Sequence, residues 1–337
     1  MSKNNVKELL KTYIVDADGS AEIDTEAFVH TVGYVKDGKI TDFLYDSFIF
    51  LPQPNYLYDY APGGTGGRKP MNKAEWTDYI ENEEFKSGMN VNALNEATGI
   101  VKKELGISDY KSHVFLSIFY PHNDMHEFGE VDGENLDLLD VENKKKALKW
   151  MVDKSIEEFN KRNYEHIDLG GFYWFYESIA MKPEEHNEEF LRYITDYIRS
   201  LGYITVWSPW YGAPGNETWQ KYGFDMAGQQ ANYFPEHKDW PNQGGKDRLP
   251  GLSAKIEKFG CSAEIEMADF VERSAEVVND YYAEGAKAGW MNSYHLYYMS
   301  VGPKFIEKLS KTDNEKLRSA YDNTYRFIKG IYNSDNE

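Results

Sequence analysis

Short apolar runs and longer stretches of helical period take turns along this chain. Apolar runs rich in aromatic and β-branched residues, closed by Gly, Pro or polar residues, read as buried strands. They predict strands at 28–35, 43–51, 113–120, 164–177, 202–209, 224–233, 260–267 and 290–299. Between them apolar positions recur at helical spacing. The predicted helices cover 72–105, 141–160, 187–200, 217–222, 246–259, 273–288, 302–311 and 315–332. Asn72 is placed to cap the first of these, Gly106 to end it, and Asp37-Gly38 to make a turn. Residues 1–27 are polar and read as an N-terminal extension, with one domain over 28–334. Strands alternating with helices at this length predict an α/β fold, a (β/α)8 TIM barrel. A doubly wound open sheet is the alternative. Its dinucleotide form needs Gly-x-Gly-x-x-Gly after an early strand, and that pattern is missing.

The stretch from Tyr164 to Glu177 carries the first chemical signal. It runs through Phe172-Tyr173-Trp174-Phe175-Tyr176 and stops on Glu177. An unpaired carboxylate is costly inside a core, so it belongs where a strand leaves the core. In a parallel barrel that is the carboxyl rim, where active sites are built. The seventh strand carries Glu264 and Glu266. Residues two apart on a strand share a face, so both acids point inward if Ala263, Ile265 and Met267 pack outward. Glu266 is then the rim acid, and Glu264, one layer deeper, needs a charged or hydrogen-bonding partner.

Charge and composition narrow the partners. There are 56 acidic against 37 basic residues, a formal net charge of −19, which disfavours nucleic acid. Aromatic residues make up 15% of the chain, Tyr foremost, and rings with a hydroxyl suit the faces and edges of sugars as well as a dense core. The single cysteine, Cys261, excludes an internal disulfide or a Cys-based zinc site. No apolar run is long enough to span a membrane, and the polar start lacks a signal-peptide core. The expected location is the cytoplasm, or the cell surface or exterior if an export signal precedes this start. The sequence carries no sign of oligomeric state.

Weaker candidates surround the acids. Gly63-Gly64-Thr65-Gly66-Gly67-Arg68-Lys69-Pro70 lacks the Gly-Lys-Ser/Thr of a phosphate loop and reads as a substrate-facing loop. His122 and His126 follow the third strand, and sugar hydrogen bonding suits them better than metal because no third ligand is evident. His30 and Asp46 are candidate mouth groups on the first two strands. Trp207, Trp210 and Tyr211 are a candidate stacking platform, with Tyr233 near it. Trp174, Gln229, Asn232, Tyr294 and His295 are further lining candidates, the last two as donors to Glu266.

Acids ending the fourth and seventh strands resemble the arrangement of the barrel superfamily of retaining glycosidases. Many members have Asn before the fourth-strand acid, where this chain has Tyr176. The segments 43–50 and 172–177, with Glu264-Ile265-Glu266, more specifically resemble a bacterial barrel family long left as a domain of unknown function and regarded as glycoside-hydrolase-like. The resemblance covers roughly residues 28–300. It implies a barrel and polysaccharide as the context. Glycoside cleavage needs one protonated and one ionised carboxyl. The expectation is a glycoside hydrolase without metal or organic cofactor, acting on a bacterial or host polysaccharide. Glu177 would be the acid/base, desolvated and raised in pKa; Glu266 would be the nucleophile, and Glu264 a support or the alternative nucleophile. A non-catalytic carbohydrate-binding barrel and a metal-dependent barrel hydrolase are the other readings.

Overall fold

The computed structural model describes residues 6–14, 22–52, 58–59, 69–179, 185–235, 245, 247–268 and 273–333. Eight parallel strands close into a barrel: β1 (Glu8–Tyr13), β2 (Ser47–Leu51), β3 (Ser112–Ile118), β4 (Ile167–Trp174), β5 (Ile204–Trp207), β6 (Met226–Gln230), β7 (Ser262–Met267) and β8 (His295–Met299). Each pairs with its sequence neighbours, and β1 closes the ring by pairing with both β2 and β8. The fold is a TIM barrel.

Two apolar layers follow from strand alternation. Leu9, Ile49, Phe115, Tyr173, Val206, Met226 and Leu296 fill the interior. Residues of opposite parity, such as Leu10, Phe48, Phe172 and Ile265, face the helices in the larger outer core. The helices that matter for the site are α1 (Thr25–Val32), α2 (Asn187–Ser200) and α3 (Ser274–Ala288). Earlier in the chain, Asn72 and Glu75 form the reciprocal N-cap of the helix Lys73–Asp78, and Gly106 ends Asn90–Leu105 in the left-handed region.

The N-terminal expectations are corrected. The predicted first strand, 28–35, is divided between α1 and the strand Gly33–Lys36, which pairs antiparallel with Lys39–Phe43 outside the barrel. Asp24 caps α1 by accepting the Ala27 N–H at 3.0 Å, which commits this β-branched run to helix. Asp37 and Gly38 both have positive φ, as a tight hairpin turn requires. The true first strand lies at 8–13, inside the supposed extension, so the barrel domain begins before residue 28. Its charged residues, Glu8 and Lys11, are buried against partners far along the chain: Glu8 against His295 and Tyr297, Lys11 against Glu264.

Gly170-Gly171 lets β4 lie between its neighbours, with a register shift at this point against β3. A Cβ on Gly171 would stand 1.9 Å from the Ile204 carbonyl oxygen, whereas one on Gly170 would meet the Phe115 ring at 3.0 Å. Backbone cannot give way as a ring can. Gly171→Ala is expected to cost at least about 1–3 kcal/mol and Gly170→Ala less, measured as shifts in the urea unfolding midpoint.

Candidate functional site

The carboxyl ends of β1, β4, β6, β7 and β8 surround a cavity of ≈ 500 Å³, within the usual size of small-ligand sites. Glu177, Glu264 and Glu266 all line it, together with Lys11. Parity explains the gathering. Tyr173, Phe175 and Glu177 continue the inward face of β4. Glu264 and Glu266 take the inward face of β7, with Ala263, Ile265 and Met267 in the outer core. Lys11 follows Leu9 on the inward face of β1.

Lys11 holds the floor of the cleft. Its Nζ lies 2.9 and 2.8 Å from the two oxygens of Glu264 and 3.5 Å from Glu177. Ser208, beyond the end of β5, donates to Glu264 as well. Glu264 therefore has both the charged and the hydrogen-bonding partner its depth demands. Burial works against the Lys11 charge, but Glu264, Tyr173 and Glu177 together hold its pKa well above the usual lysine value.

Glu266 sits differently. Its Oε2 accepts the Asn232 backbone N–H at 2.6 Å and the Tyr281 hydroxyl at 2.7 Å, while Asn232 Nδ2 lies 3.5 Å from Oε1. Asn232 has φ +47°, a left-handed conformation that Asn tolerates well, and this directs its N–H at the carboxylate. Tyr281 reaches the site from α3 and is fully buried. Burial, followed by the nearby Glu264, raises the Glu266 carboxyl to about 8. Burial raises Glu264 too. The acids on β7 thus hold protons more firmly than free glutamates do.

Glu177 stands at the open edge, its side chain 44% exposed. Its main chain is fixed: the Glu177 carbonyl accepts the Trp210 N–H at 3.3 Å, and the Tyr176 carbonyl accepts the Trp207 indole N–H at 2.9 Å. The expected contrast is reversed here, since Glu177 is the solvated acid and Glu266 the desolvated one. The donors to Glu266 are Asn232 and Tyr281 instead of Tyr294 and His295.

Several sequence candidates lie elsewhere. His30 is on α1, outside the barrel, against Ser310 and Glu26. Asp46 precedes β2 at the opposite end of the barrel, where it accepts the N–H groups of Lys7 and Glu8. His295 starts β8 at that same end, between Glu8 and the Trp290 carbonyl, and Tyr294 beside it binds the Ala227 backbone. Gln229 has the wrong parity: it faces Asn216 and the Pro209 and Trp210 carbonyls, and Gln230 lines the cleft in its place. Trp174 packs on Phe190 of α2, and Trp207 stacks on Phe224; both are buried. Tyr211 stacks under Arg248, and Tyr233 lies in a separate surface groove with Asp280. His122 is buried, accepting the Asp124 N–H, while His126 turns to Asp137.

Of the four rings expected to form a platform, only Trp210 lines the cleft, 43% exposed. Its other aromatic walls are Tyr13, Tyr173, Phe175, Tyr176, Phe234 and Tyr298. Among the described residues no group of three or more His, Cys, Asp and Glu is arranged to hold a metal ion. No described helix is long and apolar enough to cross a membrane. Most of the glycine-rich stretch 63–69 lies outside the described residues.

Asn232, a lining candidate from the sequence, does line the cleft, whereas Lys11, Ser208, Gln230 and Tyr281 have no place in the sequence reading. Parity on β6 would have exposed Gln230, because Met226 and Gly228 set the inward face. Lys11 and Tyr281 carry no local signal, since each meets its acid across a long sequence separation.

Among solved structures, a GH113 β-1,4-mannanase shares 12% identity over 95% of this chain and 98% of its own, with a TM-score of 0.43. An endo-β-1,4-mannanase from Thermotoga petrophila shares 12% over 95% and 77%, with a TM-score of 0.47. A mutant tryptophan synthase α-subunit from Pyrococcus furiosus shares 11% over 96% and 98%, with a TM-score of 0.40. No curated protein matches the chain. A family model covers residues 10–326, and the chain belongs to that family, the domain of unknown function DUF4855.

Proposed function

We propose that this barrel is a glycoside hydrolase that cleaves a polysaccharide with Glu177 and Glu266. One observation carries the reading: the acids ending β4 and β7 line a single cleft, with a buried ammonium between Glu177 and the deeper Glu264. Glu177 is the acid/base. It stands on the exposed side, where a leaving group departs and the second-step water enters, and a bound sugar would desolvate it. Glu266 is the nucleophile. Two donors fix its Oε2, which presents Oε1 to the cleft in a set orientation. Glu264 has its oxygens engaged by Lys11 and Ser208, so it supports the charge balance rather than attacking.

The reaction follows the two-step course. Glu266 Oε1 bonds to the anomeric carbon as the glycosidic C–O bond breaks, and Glu177 gives its proton to the departing oxygen. Glu177 then takes a proton from water, whose oxygen displaces Glu266 and releases the sugar. The configuration is retained. An NMR time course with an active substrate is expected to give the retained anomer first; the inverted anomer as first product would refute the intermediate.

The primary test is a hydrolysis screen over polysaccharides and aryl glycosides, with Glu177→Gln and Glu266→Gln as controls. Cleavage by the native chain and loss in both variants is expected. Binding without cleavage would favour a carbohydrate-binding barrel instead. Trp210 is the exposed ring at the cleft edge, so Trp210→Ala is expected to weaken glycan binding by about 1–3 kcal/mol, taking stacking on bases as the nearest measured magnitude. Calorimetric titration of oligosaccharide into both proteins measures this.

A further inference from the structure

We infer that the cleft selects a glycan bearing free amino groups, built of 2-amino sugar units in their ammonium form, over neutral and acidic glycans. This names the substrate class of the site proposed above and rests on that reading.

The charges of the lining point one way. Three carboxyl groups face the cavity, and Lys11 is its single basic residue among those described. That ammonium is 3% exposed and already lies against Glu264 and Glu177. A uronate, sulfate or sialate would bring a further anion beside Glu177 with no free cation among the described lining residues to receive it, and unpaired charge in a water-poor site is costly. An ammonium meets the opposite conditions. Glu266 lines the cleft, and among the described residues its Oε1 has just the 3.5 Å contact to Asn232 Nδ2, an acceptor with capacity to spare in a side chain that is almost wholly buried. Glu177 is open to the same space.

The walls fit as well. Tyr13, Tyr173, Trp210 and Tyr298 reach the cavity from different strands and loops. Ring faces attract a cation most strongly when it is desolvated, whereas they treat a neutral sugar as apolar surface alone. Lys11 already illustrates the preference, its Nζ lying 5.5 Å from the Tyr173 ring centre. At longer range, the formal net charge of −19 over the whole chain attracts polycations and repels polyanions.

The test is binding by the native protein, measured calorimetrically at about pH 6, where amino groups of this kind are protonated. The probes are oligomers of glucosamine, galactosamine and mannosamine, each compared with its N-acetylated form and with oligouronates. At least one amino series is expected to bind about ten-fold tighter than its N-acetylated partner, with affinity falling as salt is raised and no measurable binding of uronates. Equal or tighter binding of the neutral or acidic members, or binding of none of the amino series, would overturn the inference. Cleavage of a neutral glycan without amino-sugar binding would remove this inference and leave the hydrolase intact. Selective amino-sugar binding without cleavage of any glycan would leave the inference and remove the hydrolase.

Discussion

Glu177→Gln and Glu266→Gln are each expected to lower turnover by about 10²–10⁴-fold or more, but with different residual activities. Gln at 177 cannot give a proton, so the loss should be large for sugars with poor leaving groups and small for aryl glycosides whose leaving group needs none. Azide should then rescue the second step, because it attacks the glycosyl enzyme without a general base. Gln at 266 removes the attacking oxygen, so no leaving group restores its first step. A Glu266→Gln enzyme that keeps its aryl glycosidase activity while Glu177→Gln loses it would exchange the two roles. The pH dependence follows from the arrangement around Lys11. Glu264 and Glu266 lie side by side on β7 above one ammonium, so their protons leave in steps that belong to the pair. The competent state keeps one proton, which must reside on Glu177 at the moment of attack. Glu266, raised by burial and by Glu264 to about 8, marks where that proton is held most firmly. The sign is then fixed: activity should be sustained on the acid side of pH 8 and fall as pH rises through it. If activity instead climbed through pH 8, Glu266 would be titrating alone as the nucleophile.

How far the sequence reveals this site depends on how local each cause is. Strand parity is local, and Ala263-Glu264-Ile265-Glu266-Met267 states it plainly, so the inward pair on β7 could be read directly. The same rule on β6 separates Gln230 from Gln229, but the small residues Ala227 and Gly228 obscure which face is apolar. End-of-strand position is also local for Glu177. It fails for His295 and Asp46, because a polar residue next to an apolar run looks alike at either end of a parallel strand. Only strand direction and register place these two at the amino-terminal end. β1 was illegible for a different reason. Glu8 and Lys11 give its stretch a polar character that belongs to an exposed segment, and their partners lie 287 and 253 residues away. The helix α1 shows the converse: its apolar, β-branched residues suggest a strand, and the capping aspartate at its start decides the matter. Aromatic content misled as a guide to the cleft, since Trp174 and Trp207 are large enough to be needed where helices pack on strands.

Lys11→Met is the stability change with the largest expected cost. A buried ion pair adds little over a well-packed apolar pair, yet removing one partner alone strands the other charge, at about 3–5 kcal/mol. Glu264, 1% exposed, is the group left behind; Glu177 is solvated enough to need no counter-ion. The methionine approximates the lysine stem in volume, so packing beside the Tyr173 ring changes little. Glu264 can relieve its burial by taking up a proton, and this makes the cost depend on pH. Without Lys11 its folded pKa rises further above its unfolded value than burial already sets it. In that case the folded state binds the extra proton, and stability is lost as pH climbs from the unfolded pKa toward the folded one. The variant should therefore approach the native protein in acid and fall progressively behind it as pH rises through neutrality. Urea unfolding at several pH values measures the gap. Pairing Lys11→Met with Glu264→Gln should recover most of the loss, since neither charge then remains buried, and should flatten the pH dependence with it. A cost equal at all pH values, and unchanged in the double variant, would mean that Lys11 contributes packing and that its contacts with the acids hold nothing in place.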